Sequence, residues 1–147
     1  MSLAMTKSER EEFLAGVHVG VLSVARASGT PLTVPIWYAY EAGGDVRIVT
    51  GRSSQKFALL ERAGRFALCA QTETPPYKYV TVEGPIVAIE PAQVERDERP
   101  LAHRYLGREF GDQYIAATGG AESRGSVLIR MRPDRWLSVD YTKQFGG

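Results

Sequence analysis

The chain has 147 residues, about one domain at roughly 150 residues per domain, and is long enough to bury a core without a disulfide or metal staple. A formal net charge of +1, with 24% charged and 44% hydrophobic residues, excludes a disordered tail and a nucleic-acid footprint. Cys69 is the only cysteine, which excludes an intrachain disulfide or a cysteine-rich zinc site and points to a reducing, cytoplasmic compartment. No run approaches the roughly eighteen consecutive apolar residues of a membrane span, and the N-terminus lacks the charged-then-apolar order of a signal peptide. One domain over residues 1–147 is expected; Met5 follows Met1 so closely that residues 1–4 read as an added leader, set aside from the fold.

Thr6 with Glu9 matches a capping box, and Phe13, Leu14 and Val17 give residues 6–16 an apolar face, predicting a first helix that stops at Gly16. Strand-type patterning follows over residues 19–26. A Gly29-containing turn leads into residues 32–40, and Gly43-Gly44 turns the chain again into residues 46–50, so the three strands are expected as a meander. Phe57, Leu60 and Ala63 predict a short helix capped by Ser53 and ended by Gly64. A strand over residues 65–71 and a long one over residues 77–90, bent at Gly84-Pro85, come next. Val94, Leu101 and Tyr105 share one helical face, with the sign-alternating E-R-D-E-R of residues 95–99 read as its solvated side. Residues 108–118 predict a further helix, and residues 126–132 and 135–141 two last strands. Seven short strands with helices between them predict a mainly β protein, a small antiparallel barrel with peripheral helices.

Residues 48–60 concentrate the candidate chemistry: a strand end, the Gly51 turn, then a helix start carrying Arg52, Ser53, Ser54 and Lys56. Free first-turn N–H groups and the helix dipole favour an anion there, while the simpler reading is a capped helix with solvated cations. No Walker A pattern occurs, and neither a G-x-S-x-G elbow nor a histidine beside Ser53-Ser54 supports acyl transfer. His18 and His103 lie outside any ligand spacing, so no metal is expected. Cys69, alternating with apolar partners, reads as a small packed hydrophobe. In W-Y-A-Y, Trp37 shares a face with Ala39, and Tyr38 with Tyr40; one face is core and the other could stack a ring or meet a second subunit. Tyr79, on one face with Tyr77, reads equally as core or interface.

Four motifs in register, G-V-L-S at residues 20–23, V-P-I-W-Y-A-Y at 34–40, T-G-R-S-S-Q-K at 50–56 and Y-K-Y-V-T-V-E-G at 77–84, carry a family likeness. Over about residues 9–140 the sequence resembles the flavin-reductase-like split β-barrels related to pyridoxamine 5′-phosphate oxidase, and most of all their deazaflavin-dependent branch. The resemblance implies a homodimeric split antiparallel barrel of the FMN-binding type. Its cofactor, FMN or the 8-hydroxy-5-deazaflavin coenzyme, would lie in a groove at the dimer interface. Ser54 and Lys56 match the residues that hold the cofactor phosphate, with Thr50, Gly51, Arg52 and Ser53 around them. Val34, Pro35, Ile36 and Trp37, with Ile48, Val49 and Thr50, match the strands along the ring. Gln55 stands where family members often carry arginine, which removes a phosphate partner, and Leu59 where many carry asparagine.

The implied function is hydride transfer between a flavin-type cofactor, the deazaflavin favoured and FMN next, and a small conjugated or heteroaromatic molecule. Such chemistry resides in the cofactor, so the lack of an acid–base constellation is tolerable. The alternatives are a non-catalytic cofactor-binding or storage protein, and a true pyridoxamine 5′-phosphate oxidase. Arg135 and Lys143 are the only C-terminal candidates for the substrate phosphate that the latter needs.

Overall fold

The computed structural model describes residues 2–145; Met1, part of the leader set aside above, and Gly146-Gly147 lie outside them. Helix α1 (Lys7–Ala15) opens with the expected capping box: Glu9 N–H donates to Thr6 Oγ1 at 3.2 Å and Thr6 N–H to Glu9 Oε1 at 2.8 Å. Strands β1 (Gly20–Val24), β2 (Leu32–Ile36) and β3 (Val46–Gly51) follow, then helix α2 (Gln55–Ala63), β4 (Arg65–Gln71) and β5 (Lys78–Pro91). A π-helical turn (Val94–Glu98) and helices α3 (Arg99–Leu106), α4 (Arg108–Thr118) and α5 (Ala121–Arg124) form a helical insertion before β6 (Ser126–Met131) and β7 (Arg135–Asp140). A 3₁₀ turn (Tyr141–Gln144) closes the chain of elements.

All pairings are antiparallel, in the order β2-β1-β4-β5-β6-β3, with β7 on β5. Strand β5 makes this a split barrel. Its first half pairs β7 up to Glu83 and β4 up to Pro85, and its second half, from Ile86, turns away to pair β6, with a register shift between Ile86 and Ala88. The bend sits at Gly84-Pro85, as the sequence suggests, and glycine is needed there for close approach. A Cβ on Gly84 would lie 1.8 Å from the Arg132 carbonyl oxygen. The inward rows, among them Leu22, Leu68, Val80, Val82, Ile48 and Ile129, are fully buried with Leu14, Phe57, Leu60 and Tyr38 as lids.

The expected meander does not form. Strand β3 instead pairs β6 along its whole length, from Val46 opposite Met131 to Gly51 opposite Ser126, and touches the β2 segment only through an Ala39–Arg47 bridge. Strand β2 also stops at Ile36 rather than continuing to Tyr40. The Tyr105 hydroxyl accepts from Tyr38 N–H at 3.1 Å and donates to the His18 carbonyl at 2.6 Å, so a side chain satisfies the backbone groups a longer ladder would have used. The segment read as one amphipathic helix divides into the π-helical turn and α3. Its E-R-D-E-R run is not a solvated face either, because Glu98 is only 5% exposed.

Tyr38 and Tyr40 take the core face, and the Tyr38 hydroxyl donates to the Leu14 carbonyl at 2.7 Å. Cys69 and Tyr79, half-buried, lie on the outer face instead of the core. There the register lines up Pro35, Val21, Cys69, Thr81 and Leu137 in one row across five strands. The N-terminal segment, including Leu3 of the four residues set aside above, touches the barrel: Asp140 N–H donates to the Leu3 carbonyl at 2.8 Å, and Met5 N–H to Ser138 Oγ at 3.0 Å. No helix among the described residues is long and apolar enough to cross a membrane.

Candidate functional site

A cleft of about 470 Å³ opens where β3 ends, between the first turn of α2 and the helical insertion. The barrel side supplies Ile36, Trp37, Val49, Thr50, Gly51, Ser54, Lys56 and Ser126, and the helical insertion Glu98, Leu101, Tyr114 and Arg124. The sequence-predicted residues thus converge in part. Val34 packs against the barrel core, and Pro35, Arg52 and Ser53 point to solvent without lining the cleft. The Arg52 guanidinium rests over the Phe57 ring at 5.9 Å.

Helix α2 starts one residue later than the sequence reading placed it. Ser54, not Ser53, is the N-cap, and its Oγ accepts from Phe57 N–H at 3.0 Å while donating to the Gly51 carbonyl at 2.8 Å. A serine hydroxyl has one proton, so the bond to Gly51 must open before Ser54 can donate to a bound anion. The N–H groups of Gln55 and Lys56, at the first two helical positions, have no carbonyl within the helix to reach and add the positive end of the dipole. Lys56 is half-buried, and burial alone lowers its pKa from the ordinary 10.5, with no carboxylate contributing. An ammonium held out of water without an acidic partner is the strongest anion-attracting feature of the cleft.

The apolar part of the cleft is preorganised by aromatic stacking. Trp37 lies parallel to Tyr105, ring centroids 5.0 Å apart at 5°, and inclines to Tyr114 at 5.5 Å and 55°. One face of Trp37 is therefore already taken, and Ile36, Val49 and Leu101 supply the remaining apolar surface.

Sequence reasoning missed the insertion's contribution. Glu98 accepts from Ala121 N–H at 2.9 Å and holds the Arg124 guanidinium through Nη2, while Arg124 Nη1 donates to Thr118 Oγ1 at 2.8 Å. A buried carboxylate needs such partners, because an unpaired one carries a desolvation cost of several kcal/mol. No sequence signal marks Asp97 and Glu98 as the members of the charged run whose side chains are buried. Arg124 lies in G-G-A-E-S-R-G, between Gly119-Gly120 and Gly125, a hint of a tight turn feeding β6.

A second cavity of about 480 Å³ lies beyond Val49 and Leu101, lined by Arg47, Arg96 and Arg104. Each of these cations already has an acceptor, in Glu41, in Asp97, and in the Ala15 and Gly16 carbonyls, so the cleft at Lys56 is the better anion site. Both histidines are engaged elsewhere. His18 Nε2 lies 3.0 Å from the Phe13 carbonyl in a ring stack with Phe13, and His103 Nε2 lies 2.7 Å from Asp112. Among the described residues no group of three or more His, Cys, Asp or Glu could hold a metal ion.

Comparison with solved structures gives the same fold repeatedly. A conserved hypothetical protein of Mycobacterium tuberculosis is 22% identical with a TM-score of 0.78, over 99% of this chain and 91% of that one. An F420 reductase is 22% identical with a TM-score of 0.62, over 86% and 94%. An FAD-binding protein of Mesorhizobium loti is 20% identical with a TM-score of 0.63, over 92% and 94%. At such identities these likenesses concern the fold. No curated protein matches the chain in sequence. The family pattern described as pyridoxamine 5′-phosphate oxidase matches residues 6–140, nearly the whole chain, and the protein belongs to that family.

Proposed function

We propose that the chain is an oxidoreductase that binds a flavin-type cofactor in the cleft, with the phosphate end at Gly51–Lys56 and the ring along Ile36, Trp37 and Val49. The observation that carries this reading is Lys56: half-buried, without an acidic partner, and beside the free N–H groups of a helix start. The donor set fits a phosphate ester, since Lys56 supplies charge, Gln55 and Lys56 supply N–H groups, and Ser54 supplies a hydroxyl once it leaves Gly51. When bound, the cofactor would accept or donate the hydride. The chain's own part is to orient and to exclude water: Leu101 and Tyr114 close the cleft from the insertion side, and the Trp37–Tyr105 stack keeps its floor rigid.

Family membership, and fold neighbours that include an F420 reductase and an FAD-binding protein, support flavin-related chemistry. Between cofactors we favour the 8-hydroxy-5-deazaflavin coenzyme over FMN. Gln55 offers no bidentate grip on one terminal phosphate, whereas a phospholactate and oligoglutamate tail carries further charges that can reach cations beyond the cleft, such as solvent-facing Arg52. The substrate is a small organic molecule. A storage or carrier role would use the same anchors and is separated by turnover. A true pyridoxamine 5′-phosphate oxidase is disfavoured, because Arg135 forms an ion pair with Glu83 and Lys143 one with Glu9, both outside the cleft.

We further propose a homodimer in the cytoplasm. The row of Pro35, Val21, Cys69, Thr81 and Leu137 offers a small-residue, largely apolar outer face, and Leu137 is 58% exposed in the single chain. Light scattering at micromolar concentration should return twice the chain mass; a monomer would remove the shared groove. The cofactor proposal is tested by titrating the protein with FMN and with the deazaflavin coenzyme at several salt concentrations. Tighter deazaflavin binding with the steeper salt dependence is expected. Co-purified FMN, or FMN binding at least as tight at every salt, would reverse the preference.

A further inference from the structure

The helical insertion adds a second cation, Arg124, to the lining of the cleft that holds Lys56. Arg124 ends α5, and after Gly125 the chain enters β6 at Ser126, which pairs with Gly51; Arg124 and the Gly51–Lys56 turn thereby line the same cleft. The orientation of the guanidinium is fixed from behind. Glu98, nine-tenths buried, takes one Nη2 proton and is itself held by Ala121 N–H, and Thr118 takes the protons of Nη1 through its hydroxyl and carbonyl. A guanidinium has five N–H donors. Nε–H and the second Nη2–H of Arg124 therefore remain without a protein acceptor among the described residues, on a side chain 34% exposed and lining the cleft.

From this geometry we infer that Arg124 is a phosphate-binding residue of the cleft, gripping from the helical insertion the same phosphate ester that Lys56 and the α2 N-terminus hold from the barrel side. Glu98 is then its positioning residue. The inference rests on the proposed flavin-type cofactor and adds to it a specific anchor. Lys56 and Arg124 against the single Glu98 leave the cleft with one net positive charge, which suits an anionic ester and disfavours a neutral ligand end. A phosphate held between the walls would also tie the insertion to the barrel. The ester could be the monoester of FMN or the diester of the deazaflavin coenzyme, and both are assayed.

The test compares each phosphate-bearing ligand with its phosphate-free counterpart: FMN against riboflavin, and the deazaflavin coenzyme against its riboflavin-like core. For Arg124→Gln the preference for at least one phosphate-bearing ligand should fall about tenfold or more, with the phosphate-free counterpart bound as before. A brace that merely holds the insertion would instead weaken both members of each pair alike, and that result overturns the inference, as does an unchanged preference in both pairs. Lys56→Ala run in parallel separates the two levels. If it lowers the preference while Arg124→Gln does not, only the role of Arg124 fails; if neither does, the proposed cofactor site fails with it. Should Arg124→Gln not fold, Glu98→Gln serves: with the guanidinium no longer held in place, the phosphate preference should fall while the phosphate-free counterpart binds as before, and an unchanged preference overturns the inference.

Discussion

Two regions meet at the cleft and are held in different ways. The β3–α2 turn is built from neighbours in sequence: Ser54 caps Phe57 N–H and closes on Gly51, three residues back. The helical insertion is held across distance, by Glu98 reaching Ala121 and Arg124, 23 and 26 positions on, and by Tyr105 reaching back 87 positions to His18. A local turn survives the loss of any one long-range contact. The insertion, whose charged tie is buried, depends on partners that only the folded chain supplies.

The largest expected effect lies in the strand that supports both regions. Gly84→Ala drives a methyl into the Arg132 carbonyl at the β5 bend and should cost about 3 kcal/mol or prevent folding, read as the shift of a denaturant midpoint. Glu98→Ala should come next, at about 2 kcal/mol, because it strands the Ala121 N–H and the Arg124 guanidinium together. Amide exchange should then quicken in residues 94–124 and stay slow in the β3–β6 ladder; uniform quickening would mean that the two regions are one cooperative unit.

Smaller changes sharpen the local side. Ser54→Ala should cost about 1 kcal/mol through the lost cap, and Ser53→Ala almost nothing, since Ser53 points to solvent. The reverse order, measured by thermal melts, would return the cap to Ser53. At the N-terminus, Glu9 is held down to a pKa of about 2 by Lys143 and by Thr6. With a folded pKa below the ordinary 4.5, its stabilising contribution is complete above that value and is lost as pH falls toward about 2. Glu9→Gln should therefore flatten the acid limb of the melting curve between those limits, and an unaltered limb would leave the Glu9–Lys143 pair without weight.

The same contrast explains what the sequence disclosed. The capping box, the Gly51 turn into α2, the β5 bend at Gly84 and the seven strands are signalled by residues close together in the chain, where period and turn chemistry act. The pairing of β3 with β6 instead of β2 is a choice among ladders of equal local propensity, and it is decided by the bent β5 and by Tyr105 ending β2. The burial of the Asp97 and Glu98 side chains is likewise invisible in E-R-D-E-R, because a π-helical turn sets which of the charged residues face inward. The family motifs located the barrel side of the cleft and said nothing of Arg124.

The central claim is that Lys56 makes the cleft a phosphate site for a flavin-type cofactor. Titrating the wild-type chain and Lys56→Ala with the deazaflavin coenzyme and with FMN, followed by ligand fluorescence, tests it most directly. Saturable binding of at least one cofactor is expected, weakened by about 1.5–3 kcal/mol in the variant at an unchanged melting temperature. Wild-type affinity should also decline as pH rises toward 10.5, where the desolvated ammonium loses its proton early. Absence of saturable binding for both cofactors, or equal affinity in Lys56→Ala, would contradict the account.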